Sequence, residues 1–404
     1  MKVLIFNTFV EGTSTAKIAT GLYRKLKEND NECIILYGAG EISDNSDFYR
    51  VSNALDIKIQ WAANQLTGVH GNFSPFALNR AKKIIEEFKP DIIQLFNMHY
   101  YYMDIYGLFS YLKKNNYPIV YSMLDEYPYL GYCCYAYDCN QFQTGCLNCD
   151  YKRFKNEYPR NLFFNGAAKT VRLKETSYSD YHKLVFTGPR WVLERAESSY
   201  LLKNKNMEEI DEFIDTEKTF VPRDTDELRK KHKLEGKTVI LNVAPSKDER
   251  KGVKYYVEMA KKIQRKDVVF IHVGYQDETN DLPENFIPIS FVKDQNVLAQ
   301  YYSLADLLVC TSLADTMPNV CLDALACGTP VAGFDITGVP YVAESPLGKF
   351  VKPRDVDALV DIVMDIAPKN QDMIDNCRKY ALSRYSPQTF YEKLSTVYRK
   401  MLEE

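Results

Sequence analysis

Short apolar runs alternate with helix-patterned segments along the whole of this chain, and that alternation is the signature of a parallel α/β architecture. In the first half the strand candidates are KVLIF (2–6), CIILY (33–37), DIIQLF (91–96), PIVYSM (118–123) and KLVFT (183–187). Helices are predicted between them, for instance over Thr15–Lys27 and Ser74–Phe88. In the second half KTVILNV (237–243), DVVFIHV (267–273), ADLLVCT (305–311) and TPVAGF (329–334) read as strands, with helices near Lys254–Ile263 and Asn296–Tyr302. A polar stretch over 203–229, rich in Lys, Glu and Asp, separates the halves. The expected fold class is therefore α/β, with two doubly wound Rossmann-like domains, 1–205 and 206–380. Facing each other, such domains would gather the carboxyl ends of their strands around a shared cleft, where ligands of these sheets bind.

A chain of 404 residues is long for one core, which agrees with two domains. A net charge of −3 argues against a nucleic-acid partner, whose phosphates call for a strongly basic surface. The opening MKVLIF has no leader-like pattern, and no apolar run approaches the roughly 20 residues of a membrane span. A cytoplasmic protein is expected. Contact with the inner face of a membrane stays open, since a few basic and aromatic side chains suffice for it.

Four local constellations carry chemistry. The stretch ADTMPNVCLDALACGTPVAGFD (314–335) places Asp315 and Asp323 around a helix that Pro318 starts and Gly328 ends. Asp315 and Thr316 are cap candidates, and the helix start near Asn319 and Val320 is a ready anion site. An acid at 315 sits badly beside an anion unless it serves something else, such as sugar hydroxyls. The turn APSKDERKG (244–252) clusters Lys247, Arg250 and Lys251 at a strand end, where they can offset a diphosphate leaving group; a solvated charge run is the bland alternative. The loop after the first strand holds Gly12 and Thr13–Ser14–Thr15, which fit a phosphate or sugar contact and fit an ordinary capped turn equally well.

The fourth lies near the middle of the chain. His99 follows a strand directly and opens the aromatic run HYYYMDIYGLFSYL, most of which has core spacing. The segment 131–150 crowds five of the ten cysteines. Cys146 and Cys149 form a C-x2-C knuckle that Cys133 and Cys139 can complete as a four-thiolate structural zinc site, against free thiols or a redox pair. Cys134 is left over. The remaining five, Cys33, Cys310, Cys321, Cys327 and Cys377, read as small core residues.

Taken together, TSLADTMPNVCLDALACGTPVAGFDITGVPYVA (311–343), NVAPSKDERKG (242–252) and the closing YSPQTFYEKLSTVYRKML (385–402) resemble the retaining family-4 glycosyltransferases. LDEYPYLGYC with TGCLNC (124–133 and 144–149) is similar to a bacterial capsule, O-antigen and exopolysaccharide subgroup that carries the same cysteine cluster. The resemblance spans nearly the whole chain. It implies the GT-B fold, with 381–404 as a crossover helix returning to the N-terminal, acceptor-side domain. It implies a nucleoside-diphosphate sugar of UDP or GDP type as donor, bound by the C-terminal domain, and a glycan or lipid-linked glycan as acceptor. No catalytic metal is implied.

By position, the family's paired acids fall on Asp315, beside the transferred sugar, and Asp323, on the donor ribose. Its diphosphate lysine falls on Lys251. The usual arginine partner is replaced by Pro245 and Ser246, so Lys247 or Arg250 is expected to compensate. The backbone at Asn319 and Val320 would face the diphosphate. In the N-terminal half, Asn97 and His99 remain of a histidine-rich strand end, and Asp125 is kept while Leu124 replaces a histidine. Leu124 and the missing arginine leave an inert glycosyltransferase-like binding subunit as one alternative; a nucleotide-sugar epimerase of the same fold is another.

Overall fold

The structure, a computed structural model, describes residues 1–154, 163–263, 265–276 and 281–403. The chain divides into two compact units, Met1–Glu212 with Phe390–Glu404, and Phe213–Thr389.

Among the described residues of the first unit seven parallel strands run β1 Lys2–Asn7, β2 Glu32–Tyr37, β3 Phe48–Arg50, β4 Ile92–Leu95, β5 Ile119–Ser122, β6 Leu184–Gly188 and β7 Met207–Glu209. Their order across the sheet is β3-β2-β1-β4-β5-β6-β7, so the direction of winding reverses between β1 and β4. The crossovers carry α1 Ser14–Glu28, α2 Ala54–Thr67, α3 Pro75–Phe88, α4 Ile105–Lys114, α5 Ala167–Tyr178 and α6 Arg190–Glu197. The inner strands are continuous buried runs because helices cover both faces of a parallel sheet. One polar ladder crosses this core. Gln94 Nε2 donates to Ser122 Oγ at 2.9 Å, Ser122 Oγ shares a hydrogen with Thr187 Oγ1 at 2.7 Å, and Tyr398 Oη donates to Gln94 Oε1 at 2.8 Å. Each buried polar group thereby finds a partner, as a low-dielectric interior demands.

The second unit holds α7 Asp226–His232, β8 Thr238–Val243, α8 Val253–Lys262, β9 Val268–Val273, β10 Phe286–Ile289, α9 Gln295–Leu304, β11 Leu307–Cys310, α10 Asn319–Ala326, β12 Val331–Phe334, β13 Gly348–Val351, α11 Val356–Met364 and α12 Gln371–Tyr385. A last helix, α13 Pro387–Glu403, begins at its end and has residues from Phe390 onward in the first unit. The sheet order is β10-β9-β8-β11-β12-β13, all parallel, with the reversal between β8 and β11. Alternation along the strands sorts the core into two layers. Val239, Leu241, Leu308 and Cys310 pack with α9, α10 and α12, whereas Ile240, Leu307, Val309 and Phe334 pack with α8 and α11. Cys33, Cys310, Cys321, Cys327 and Cys377 are all buried.

Four strands escape the apolar-run reading: β3, β7, β10 and β13. Each is an edge strand with partly exposed residues, so none needs the continuous apolar run that marks the inner ones.

Candidate functional site

In a doubly wound sheet the strands on either side of a winding reversal send their following loops to opposite faces, which opens a crevice at their carboxyl ends. In the second unit that crevice lies beyond β8 and β11. The loop after β8 forms a short 3-10 turn, Glu249–Lys251, started by Asp248, whose carboxylate accepts from Arg250 N at 3.0 Å. Gly252 closes the turn at φ 62°, a left-handed conformation that glycine adopts without strain, and a Cβ there would stand 2.2 Å from Thr311 O. The loop after β11 is joined to this turn through its backbone: Leu313 N donates to Arg250 O at 2.7 Å and Thr311 Oγ1 to Lys251 O at 3.1 Å.

The side chains meet on Asp315. Lys251 Nζ donates to its Oδ2 at 2.7 Å, and Arg250 Nη1 approaches Oδ1 at 3.3 Å while also donating to Ala314 O at 2.8 Å. Arg250 Nη2 donates to Asp248 Oδ2 at 3.1 Å. A third loop, after β12, fixes the Asp315 backbone: its N–H donates to Thr337 Oγ1 at 3.0 Å and its carbonyl accepts from Gly338 N at 2.8 Å. Burial alone would raise the Asp315 pKa, but the charges of Lys251 and Arg250 outweigh it and hold the carboxyl below its ordinary value. Asp315 is therefore an oriented, ionised group at neutral pH.

Beside it, α10 begins at Asn319 with Pro318 in the cap position and no side-chain cap. The cap expected from Asp315 is thus not made, because its carboxylate is drawn to Lys251 and Arg250. The leading N–H groups at Asn319 and Val320 remain the positive end of the helix dipole.

Not every expected residue joins this cluster. Asp323, one turn into α10, is buried with its carboxylate beside the Tyr302 hydroxyl, whose pKa is raised first by burial and then by that charge. Ser246 is engaged with a neighbouring loop: its N–H donates to Gly274 O at 3.2 Å and its Oγ accepts from Gln276 N at 2.9 Å. Lys247 is exposed. Of the two cations expected to replace the absent arginine, Arg250 is the one placed on Asp315.

The first unit has its own reversal, beyond β1 and β4. Thr8 Oγ1 lies 3.0 Å from both the carbonyl and the side-chain oxygen of Asn97, joining these two strand ends. Gly12, at φ 78°, stands in open space, and Thr13 caps α1 by accepting from Ala16 N at 3.1 Å. Gly12 thus provides a left-handed turn, and no protein group crowds it. After β4, His99 Nε2 shares a hydrogen with Asp125 Oδ2 at 2.7 Å, both largely shielded from solvent. Tyr127 packs on the His99 ring at 5.3 Å, and its hydroxyl lies 3.0 Å from His70 Nδ1. Its own N–H donates to Asp125 Oδ1 at 2.9 Å.

Beneath these residues, buried Lys174 donates to the carbonyls of Tyr127 and Leu130, the latter at 2.9 Å, and stands 3.6 Å from the centre of the Tyr127 ring. Sequence reasoning missed Lys174, His70 and Tyr127, which are single residues on separate elements.

The four thiolates expected to hold zinc do not converge on one point. Cys133, Cys139, Cys146 and Cys149 share a neighbourhood: burial raises the Cys133 thiol most, and the other three add to it. Yet among the described residues the one group of three donors within 4.8 Å of each other is His99, Asp125 and Cys134. The surplus cysteine is thus the one drawn towards the His99–Asp125 pair. The loop that carries the knuckle also holds Glu126. That buried carboxylate accepts from Arg195 Nε at 2.9 Å, Tyr129 Oη at 2.7 Å and Ala136 N at 2.8 Å.

Residues 237–367 match the family described as Glycosyl transferases group 1. N-acetyl-alpha-D-glucosaminyl L-malate synthase of Bacillus anthracis is 21% identical over 218 residues, 50% of this chain and 55% of that protein. The match thus spans about half the length of that curated relative. Among solved structures, sucrose-phosphate synthase of Thermosynechococcus elongatus superposes with a TM-score of 0.69 at 14% identity, covering 100% of this chain and 99% of the other. Anabaena HepE, in complex with UDP, gives 0.67 at 12% identity over 99% and 100%. The fold is GT-B.

Proposed function

We propose that the chain is a retaining glycosyltransferase of the family-4 type, moving a sugar from a nucleoside-diphosphate sugar to a glycan or lipid-linked glycan in surface polysaccharide assembly. The observation that carries this reading is the convergence of Lys251, Arg250 and Asp315 beyond the β8–β11 reversal, beside the open start of α10. The group 1 match over 237–367 supports it, as do structural neighbours that hold UDP or UDP-glucose. The donor would be of UDP or GDP type, since nothing in the Asp315 cluster selects a base.

In the proposed mechanism the diphosphate lies across the α10 start, where N–H groups at Asn319 and Val320 receive its oxygens. As the bond from the anomeric carbon to the diphosphate oxygen lengthens, negative charge grows on the leaving group. The Lys251 ammonium and the Arg250 guanidinium are pre-aligned to offset it, without reorganisation at the moment of reaction. Asp315 holds both cations in place and presents its carboxylate to sugar hydroxyls. Asp323 is proposed for the ribose, which would require its carboxylate to turn from Tyr302. His99, oriented by Asp125, is proposed as the polar contact to the reacting sugar or acceptor from the first unit. Divided this way, Met1–Glu212 would be the acceptor side and Phe213–Thr389 the donor side.

A hydrolysis and transfer screen over UDP-, GDP- and ADP-sugars tests the reading. Release of one nucleoside diphosphate, with retention of anomeric configuration in the product, is the expected result. No turnover of any of them would reject it.

A further inference from the structure

Helix α2 is built inside out. A surface helix ordinarily buries an apolar stripe and exposes polar residues. Here the buried positions are Asp56, Gln60, Asn64 and Gln65. Leu55 is 62%, Trp61 48% and Leu66 72% exposed. The polar side is engaged inward: Asp56 completes a capping box with Asn53 and pairs with Arg80, and Gln60 Nε2 donates to Met103 O at 2.7 Å. Turning the helix over would break these contacts, so the apolar side is committed to facing outward.

The patch extends beyond the helix. Ser74 Oγ donates to Tyr102 O at 3.4 Å, so the turn into α3 rests on the same backbone segment that Gln60 holds. That turn exposes Phe73 (54%) and Phe76 (59%). Charge then selects the occupant. From residue 57 to residue 85 the chain has no Asp or Glu, while it carries Lys58, Arg80, Lys82 and Lys83, in a protein whose net charge is −3. Lys58 is exposed on α2 itself, and the one acid of that helix, Asp56, is buried. Tryptophan, phenylalanine and leucine beside a lysine, with acid excluded, is the composition of a helix lying in a bilayer interface. No helix among the described residues is long and apolar enough to cross a membrane, so contact would be made at the surface.

We propose that the outer face of α2, with Phe73 and Phe76, is a docking surface for a lipid bilayer bearing anionic headgroups. The leucine, tryptophan and phenylalanine side chains enter the headgroup–acyl boundary and Lys58 meets the headgroups. The inference does not depend on the transferase reading, since it uses no residue of the Asp315 or His99 clusters.

Flotation of the full chain with phosphatidylcholine vesicles containing about one-third phosphatidylglycerol tests it. Wild type is expected to float, and to do so less with phosphatidylcholine alone. Leu55→Ser/Trp61→Ser/Leu66→Ser is expected to lose at least about tenfold in partitioning while keeping its melting temperature, because all three side chains are exposed already. Trp61 and Trp191 are the two tryptophans. In a Trp191→Phe background, Trp61 fluorescence is expected to shift blue and to be quenched by brominated lipid. Failure of wild type to float, or equal flotation of the triple variant, overturns the proposal. So does lipid-free self-association that the triple variant abolishes, which would make this face a contact between copies of the chain. Nucleotide binding by the second unit is read separately, so its failure would leave this result standing.

Discussion

Lys251 Nζ lies 2.7 Å from Asp315 Oδ2, and the two residues come from loops that leave adjacent parallel strands on either side of a winding reversal. An ion pair so placed aligns a cation and keeps the acid ionised at one crevice. Lys251→Ala and Asp315→Ala are each expected to lower turnover at least about tenfold, the scale of one charge contact in a transition state. Steady-state kinetics on the donor identified by the sugar-nucleotide screen makes the check.

Gly338 is expected to tolerate no side chain. Its N–H holds Asp315 O, and a Cβ would fall 1.7 Å from Thr316 O, a backbone atom that cannot rotate away. Gly338→Ala is expected to cost roughly 1–3 kcal/mol in denaturant unfolding, the usual range for overpacking. Turnover should fall with it, since the loop carrying Asp315 must shift.

Lys369 gives a pH signature. Burial pushes its pKa down to about 8, although Asp306 opposes the shift, and its ammonium donates to Ser303 O at 2.7 Å and Thr329 Oγ1 at 2.6 Å. The folded pKa lies below the unfolded one. Above about pH 8 the unfolded chain therefore binds the extra proton, and stability rises with pH until the unfolded lysine titrates near 10.5. From pH 8 to 9 wild type is expected to gain about 1 kcal/mol relative to Lys369→Met. Urea unfolding of both proteins at the two pH values checks the sign.

The cysteine loop is expected to depend on Glu126 more than on any thiol. Glu126→Ala leaves Arg195, Tyr129 Oη and Ala136 N without their common acceptor in the core. Removing one partner of a buried ion pair costs roughly 3–5 kcal/mol, to be read as a fall in melting temperature.

What was legible in the sequence follows burial. Nine inner strands announced themselves because both faces of a parallel sheet are covered, whereas β3, β7, β10 and β13 lie at edges where half-exposed residues suffice. Asp315, Lys251 and Arg250 were legible because apolar runs reveal where parallel strands end, and a crevice lies beyond those ends. Choosing Arg250 over Lys247 was not, since it is the 3-10 turn Glu249–Lys251 that carries side chains onto Asp315, and Lys247 lies before it. The pairing of Asp315 with Asp323 rests on the family resemblance, and the sequence carries no sign that the Asp323 carboxylate stands beside the Tyr302 hydroxyl. The cysteine spacing marks a shared neighbourhood of Cys133, Cys139, Cys146 and Cys149, but the buried acceptor of that loop, Glu126, carries no spacing signal. Helix α2 was unreadable by periodicity because the usual inside and outside are exchanged.

Calorimetric titration of UDP and of GDP into the full chain and into Lys251→Ala tests the donor site most directly. Saturable binding of one nucleotide to wild type, weakened at least about tenfold in the variant, is the expected result. Absence of binding by either nucleotide, or equal affinity in wild type and variant, would contradict the assignment of the Asp315–Lys251 crevice to a nucleotide sugar.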